Sequence, residues 1–191
     1  VLCEKPIALS AVAAQALREA ATRVCIEEAF MVRHHPQWQR VRELVQAGHI
    51  GMLRAVQVFF SYFNDDPGNI RNQPAIGGGA LYDYACHAVD LVNFVAGTPK
   101  GVSGVVRNSV FSNGVEDEIY ATLHFANGAS GQLAVNWSDE SFRKMSTKIS
   151  VWGSNGRVTA DRQECQIYLR EPVDELPECK KGWTATNTTA L

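Results

Sequence analysis

Asp83, His87 and Asp90 fall at i, i+4 and i+7 in a stretch that is otherwise rich in apolar residues (Leu81, Tyr84, Ala85, Ala88, Leu91, Val92, Val95). On a helix that spacing puts the three on one face. A histidine titrates near neutral pH, so it can accept and return a proton at working pH. A carboxylate one turn away can fix its tautomer and stabilise the imidazolium, as in catalytic base-plus-orienter pairs. The same spacing suits an i,i+4 ion pair on a solvated face. A zinc site from Asp83, His87 and the His34–His35 pair is a third arrangement that the residue types allow.

Gly77, Gly78 and Gly79 precede this stretch. Three glycines let the backbone approach a neighbour closely, and they leave helix N-terminal N–H groups to meet an anion or a polar ligand. A second constellation, Glu4-Lys5-Pro6, stands between an apolar run and a helix. Ligands of α/β sheets bind beyond the carboxyl ends of strands, where a lysine can sit beside a reacting oxygen. A surface lysine in a turn would look the same. Arg33, Arg71 and Tyr82 lie near the first strand ends or the glycine-rich loop and are candidates for substrate contact.

The elements that must position these residues follow from pattern. Residues 9–22 are rich in Ala, Leu and Glu, with Ser10 as a cap, and predict a helix. Residues 24–32 predict a strand, which makes 1–32 one βαβ unit. Pro36 opens a helix over 36–46, closed by Gly48 and Gly51. Residues 53–63 form a β-rich run, 64–79 a loop, and 80–96 one long helix. Short strands are expected over 102–110, 116–126, 130–137, 144–153, 156–160 and 165–169. Asn-Gly pairs at 113–114, 127–128 and 155–156 signal hairpins between them. The expected fold class is α+β, a largely antiparallel meander covered on one face by two helices. Leu133, Val135 and Trp137 alternate onto one face and Ala134 onto the other, which hints that both faces are covered. Residues 171–191 read as a polar tail.

Composition narrows the classes. A 46% apolar fraction is enough for a sizeable core. A formal charge of -2 with interspersed signs argues against a nucleic-acid partner. No apolar run approaches the roughly 20 residues that span a bilayer, and the N-terminus is no signal peptide. Five cysteines without a C-x-x-C pair suggest free thiols in a reducing compartment, hence the cytoplasm.

Together, Glu4-Lys5-Pro6 and Gly77-Gly78-Gly79-Ala80-Leu81-Tyr82-Asp83, with His87, resemble the E-K-P and G-G-G-x-L-x-D-x-x-x-H motifs of the glucose–fructose oxidoreductase, inositol dehydrogenase and MocA family. Arg33 with Pro36, Gly48-His49-Ile50-Gly51, Glu116-Asp117, Phe125-Ala126-Asn127-Gly128 and Gly153-Ser154-Asn155-Gly156 follow in family-like order, so the resemblance covers about residues 1–170. Ala85 stands where the family usually has Gly. The resemblance implies a remnant of a Rossmann domain over 1–32 and a substrate-binding and oligomerisation domain over 33–170. It implies NAD or NADP as cofactor, held in part by Glu4, Lys5 and Pro6, and a sugar or polyol substrate. In that scheme Lys5, Asp83 and His87 are catalytic, no metal is needed, and the protein is a homodimer or homotetramer through its sheet face. The G-x-G-x-x-G of the family does not occur in these residues, so the chain reads as an internal fragment, inactive by itself. A non-catalytic dinucleotide sensor and an oligomerisation module of the same fold are the other readings.

Overall fold

A computed structural model describes residues 1–108, 114–138, 145–176 and 182–186. At its start, β1 (Leu2–Cys3) pairs in parallel with β2 (Glu27–Glu28), and α1 (Ala11–Ala21) crosses between them. Ser10 caps α1, its hydroxyl accepting from the Ala13 N–H at 3.1 Å. None of the residues of α1 is buried, and Val12 is 82% exposed. The strand expected over 24–32 is only two residues long. After Glu28 the chain enters a 3₁₀ turn, Met31–His34, because its apolar residues are spent otherwise than on an alternating face. The Phe30 ring packs edge-on against His87, and Val32 enters the core.

The larger unit is an eight-stranded sheet. Its strands are β3 (Leu53–Ser61), β4 (Gly101–Arg107), β5 (Glu118–His124), β6 (Ser130–Asn136), β7 (Ser146–Gly153), β8 (Gly156–Asp161), β9 (Cys165–Leu169) and β10 (Gly182–Thr186). They lie in the order β10-β9-β8-β7-β3-β6-β5-β4. Every neighbouring pair is antiparallel except β3 and β6, which run parallel. The sheet is therefore not the plain meander expected. The strand β3 comes before the glycine-rich loop and inserts between β6 and β7, where a hairpin pair would otherwise sit. A parallel neighbour needs a long crossover, and the chain from 62 to 129 supplies it. The last strand, β10, lies in the stretch expected to be a polar tail. It pairs with β9, whose edge would otherwise be open. Residues 109–113, 139–144, 177–181 and 187–191, with Asn113 of the first hairpin signal and Cys179, lie outside the described residues.

One face of the sheet carries the core. Val56, Val58 and Phe60 of β3, Ile149 and Val151 of β7, Val158 of β8 and Leu133 and Val135 of β6 are buried. They alternate with less buried residues, Gln57 and Gln132 exposed and Phe59, Ala134 and Trp152 half-buried. The cover is α2 (Pro36–Gln46) and α3 (Cys86–Ala96). The first turns Trp38, Val41 and Leu44 inward, and the second Ala88, Leu91, Val92 and Val95. The start of α2 matches its signal: Pro36 sits in the first turn and the His35 ring accepts from the Gln37 N–H. The helix expected over 80–96 is instead a π turn, Leu81–Ala85, leading into α3. No helix among the described residues is long and apolar enough to cross a membrane.

Truncating a core residue of α3 should be costly, and truncating an edge-strand residue should not. Leu91→Ala is expected to lose about 2–5 kcal/mol of unfolding free energy. Val102→Ala, at an exposed position of the edge strand β4, should change it by no more than about 0.5 kcal/mol. Urea unfolding of the two variants checks the contrast.

Candidate active site

The carboxyl ends of both short parallel strands lead to the start of α3. Lys5 follows β1 and reaches the π turn. Its Nζ donates to the Asp83 carbonyl and, at 2.6 Å, to Asp83 Oδ1. Phe30 follows β2 and meets the His87 ring, with centroids 5.6 Å apart at 82°. Lys5 is thus brought to Asp83 and His87 from 78 residues before Asp83 in the sequence. The Lys5–Pro6 peptide is cis. Glu4 is exposed, whereas Pro6 is half-buried.

Asp83 does not orient His87 as the spacing suggested. Its Oδ1 takes Lys5, while its Oδ2 takes Arg71 Nε at 2.7 Å and the Tyr62 hydroxyl at 3.4 Å. Two cations and a phenol outcompete a neutral imidazole for one carboxylate. The Nδ1 of His87 is buried and has no hydrogen-bond partner. Burial lowers the pKa of this ring, and the nearby Lys5 charge lowers it further, against weaker opposing effects of Asp83, Asp90 and Glu4. The imidazole is therefore neutral at pH 7. Asp90, the third member of the stripe, is 5% exposed and paired with Arg33. Arg33 Nε lies 3.0 Å from both of its oxygens, and Nη2 also donates to Oδ1.

The candidates for substrate contact separate on this geometry. Arg33 is held by Asp90, with its guanidinium over the Phe30 ring. Arg71 is held by Asp83. The Tyr82 hydroxyl donates to the Leu9 carbonyl at 2.9 Å, away from the acidic residues. The histidines of the zinc arrangement also part: His35 caps α2 and His34 reaches toward Glu27. Among the described residues no cluster of three His, Cys, Asp or Glu side chains is arranged to hold a metal.

The glycines act differently from the expectation as well. Their N–H groups, and those of the residues that follow, are already taken. Gly78 donates to the Gln73 carbonyl, Gly79 to that of Arg71 and Ala80 to that of Glu116. Leu81 N–H donates to Glu116 Oε1 at 3.0 Å. The anion at this helix start is thus Glu116 of the protein itself. Gly79, at φ +118°, has no room for a side chain because the Glu116 carboxylate lies against it. Tyr62, Phe30 and Glu116 were not singled out as site residues. Tyr62 ends an apolar strand and Phe30 reads as core, so neither carries a local signal. Glu116 stood only in the ordered motif Glu116-Asp117. Cys86 lies between Asp83 and His87, but burial pushes its thiol up to about 11, so it stays protonated.

Residues 38–159 match the GFO/IDH/MocA C-terminal domain. The chain belongs to the GFO/IDH/MocA family. Within that family an uncharacterized oxidoreductase of Rhizobium meliloti is 39% identical over 182 residues, which cover 93% of this chain and 50% of that protein. D-xylose 1-dehydrogenase (NADP(+)) 2 of Haloferax volcanii is 32% identical over 165 residues, covering 84% of this chain and 49% of that one. Among solved structures, an oxidoreductase domain protein from Kribbella flavida superposes with a TM-score of 0.86 at 27% identity, over 98% of this chain and 54% of that chain. The chain spans about half the length of the curated relatives it matches. The GFO/IDH/MocA match runs from within α2 to within β8 and includes the π turn with Asp83 and α3 with His87.

The lowered pKa of His87 has a thermodynamic consequence. Below its ordinary pKa of about 6.5 the unfolded ring binds a proton that the folded ring refuses. Stability should fall as pH drops from 6.5 toward the lower folded value and level off beneath it. His35, also lowered by burial, adds a slope of the same sign. Melting temperatures of the wild-type chain and His87→Gln between pH 7.5 and 5 should show a shallower slope in the variant.

Proposed function

We propose that this segment is the substrate-binding, acid–base part of an NAD- or NADP-dependent oxidoreductase that acts on a hydroxyl-bearing or carbonyl carbon of a sugar or polyol. The observation that carries this reading is the convergence of Lys5 and His87 at the carboxyl ends of a parallel strand pair, where α/β folds bind ligands. The names of the relatives support the same class: one is a D-xylose 1-dehydrogenase, another a dTDP-3,4-didehydro-2,6-dideoxy-alpha-D-glucose 3-reductase.

The residues present fit a nicotinamide dinucleotide bound at the end of β1. Lys5 is a half-buried cation there, followed by Pro6 and preceded by the exposed Glu4. These three would touch the nicotinamide end of the dinucleotide, which when bound supplies a hydride acceptor or donor. His87 takes the proton of the substrate hydroxyl in oxidation and returns one in reduction, a role its neutral state at pH 7 suits. The Lys5 ammonium stabilises the negative charge that develops on the same oxygen. Asp83 keeps Lys5 in place with one oxygen while Arg71 holds the other. The fork of Arg71 that Asp83 leaves unused can meet a further substrate hydroxyl.

We assign the open face of the sheet to contact between copies of the chain. Val105 and Tyr120 are exposed there, across from each other on β4 and β5. Beside them runs a row of short or amide side chains, Ser103, Thr122, Gln132, Gln57 and Ser150, on five adjacent strands. A dimer in sedimentation at micromolar concentration is the expected outcome; a monomer there removes the assignment.

In the full-length polypeptide His87→Ala should lower kcat by about 10²–10⁴-fold. The kcat/KM for oxidation should fall on the acid side with a pKa below the ordinary histidine value, because protonation removes the base. Near-normal turnover of His87→Ala would refute the assignment. The 191-residue chain alone, without G-x-G-x-x-G, is expected to show no micromolar affinity for NAD or NADP by calorimetry.

A further inference from the structure

The loop that carries Lys5 is gripped at both ends by two consecutive residues of the π turn. Asp83 holds Lys5 at the near end. Tyr82 holds the carbonyl of Leu9, four residues on, at 2.9 Å. The Leu9 side chain is seated over Gly77, where an added Cβ would stand 2.7 Å from both of its methyl carbons. Gly77 itself has φ +79°, a conformation that glycine adopts freely. Between the two grips the Ile7 N–H donates to Glu28 Oε1 at 2.7 Å, tying the loop back to β2. Phe30 packs on His87 beside these grips, while α1 buries none of its residues.

We propose that Tyr82 is a positioning residue for Lys5: its hydroxyl fixes the far end of the 5–9 loop, so that the ammonium is presented at a set place beside His87. The proposal rests on the role given to Lys5 above, and it replaces the expectation that Tyr82 meets the substrate. A π turn carries more residues per turn than an α-helix, so neighbours project at a smaller angle to one another. Tyr82 and Asp83 can then both reach one loop. The Tyr82–Leu9 bond is solvent-exposed, so it contributes little to global stability. Its effect is local, on where Lys5 sits.

Two measurements test this. The first uses the chain as it stands and needs no cofactor. An amine-acylating reagent is applied at low dose, and labelling of Lys5 is compared with that of the exposed Lys100 by peptide mapping. Tyr82→Phe should raise Lys5 labelling about fivefold relative to Lys100, the factor set by losing one hydrogen bond of ordinary strength, with the melting temperature unchanged. Leu9→Ala, which keeps the carbonyl but empties the seat over Gly77, should act in the same direction. Unchanged Lys5 labelling, or a rise shared by Lys100 together with a lower melting temperature, overturns the proposal. The second uses the full-length polypeptide with its dinucleotide and sugar. Tyr82→Phe should lower kcat severalfold and leave the sugar KM within about twofold. A raised KM with unchanged kcat is the mark of a substrate contact and overturns it. The labelling arm does not depend on turnover, so failure of the oxidoreductase reading and failure of this proposal give different results.

Discussion

The Asp83 carboxylate is the point on which the arrangement turns. One oxygen takes a lysine from the first loop of the chain, and the other takes an arginine from the loop before the π turn. Each cation alone would be partly desolvated with no counter-charge, and beside each other they would repel. With the carboxylate between them the cluster carries one net positive charge instead of two. Lys5 is the better shielded from water, so its half of the pairing is weakened less by solvent. The small parallel unit and the large sheet meet at this cluster. Loss of the Asp83 charge would therefore disturb a contact between units as well as a chemical group.

Much of the frame was legible in the sequence because its signals are local. Pro36 and the glycines after residue 46 bound α2, and Ser10 caps α1. Apolar alternation in β3 and in β5 to β9 matches the covered face of the sheet. The failures share a physical cause, which is that partners distant in sequence decided them. The place of β3 between β6 and β7 depends on pairing across some 75 residues. The brevity of β2 follows from Phe30 turning to pack on His87. No window of sequence around 182–186 says that the edge of β9 is open to it.

The site was legible as a set of residues and not as a set of bonds. Spacing brought Asp83, His87 and Asp90 onto one helix, and the motif at Glu4-Lys5-Pro6 added the lysine. Spacing could not say that the two carboxylates would each be taken by cations from elsewhere, Arg71 with Lys5 and Arg33. Nor could it say that the glycines would spend their N–H groups on carbonyls of their own loop, and Ala80 and Leu81 theirs on Glu116. A periodic pattern reports which face a side chain shares. The charges that compete for that side chain are outside the pattern.

The consequence for His87 is a change in what tunes it. A carboxylate in contact with an imidazole raises its pKa and holds a proton on the facing nitrogen. Here neither aspartate is bonded to the ring, and desolvation dominates, pulling the pKa down. A base tuned by burial is neutral over a wider range of pH than one paired with an anion. Its conjugate acid is also stronger, so a proton taken from a hydroxyl is released more readily afterwards. Lys5 acts in the same direction from the other side, since its charge disfavours imidazolium while favouring alkoxide. The two groups of the proposed chemistry thus divide the work by charge: Asp83 holds the lysine in place, and the ring stays neutral in part because that cation is near.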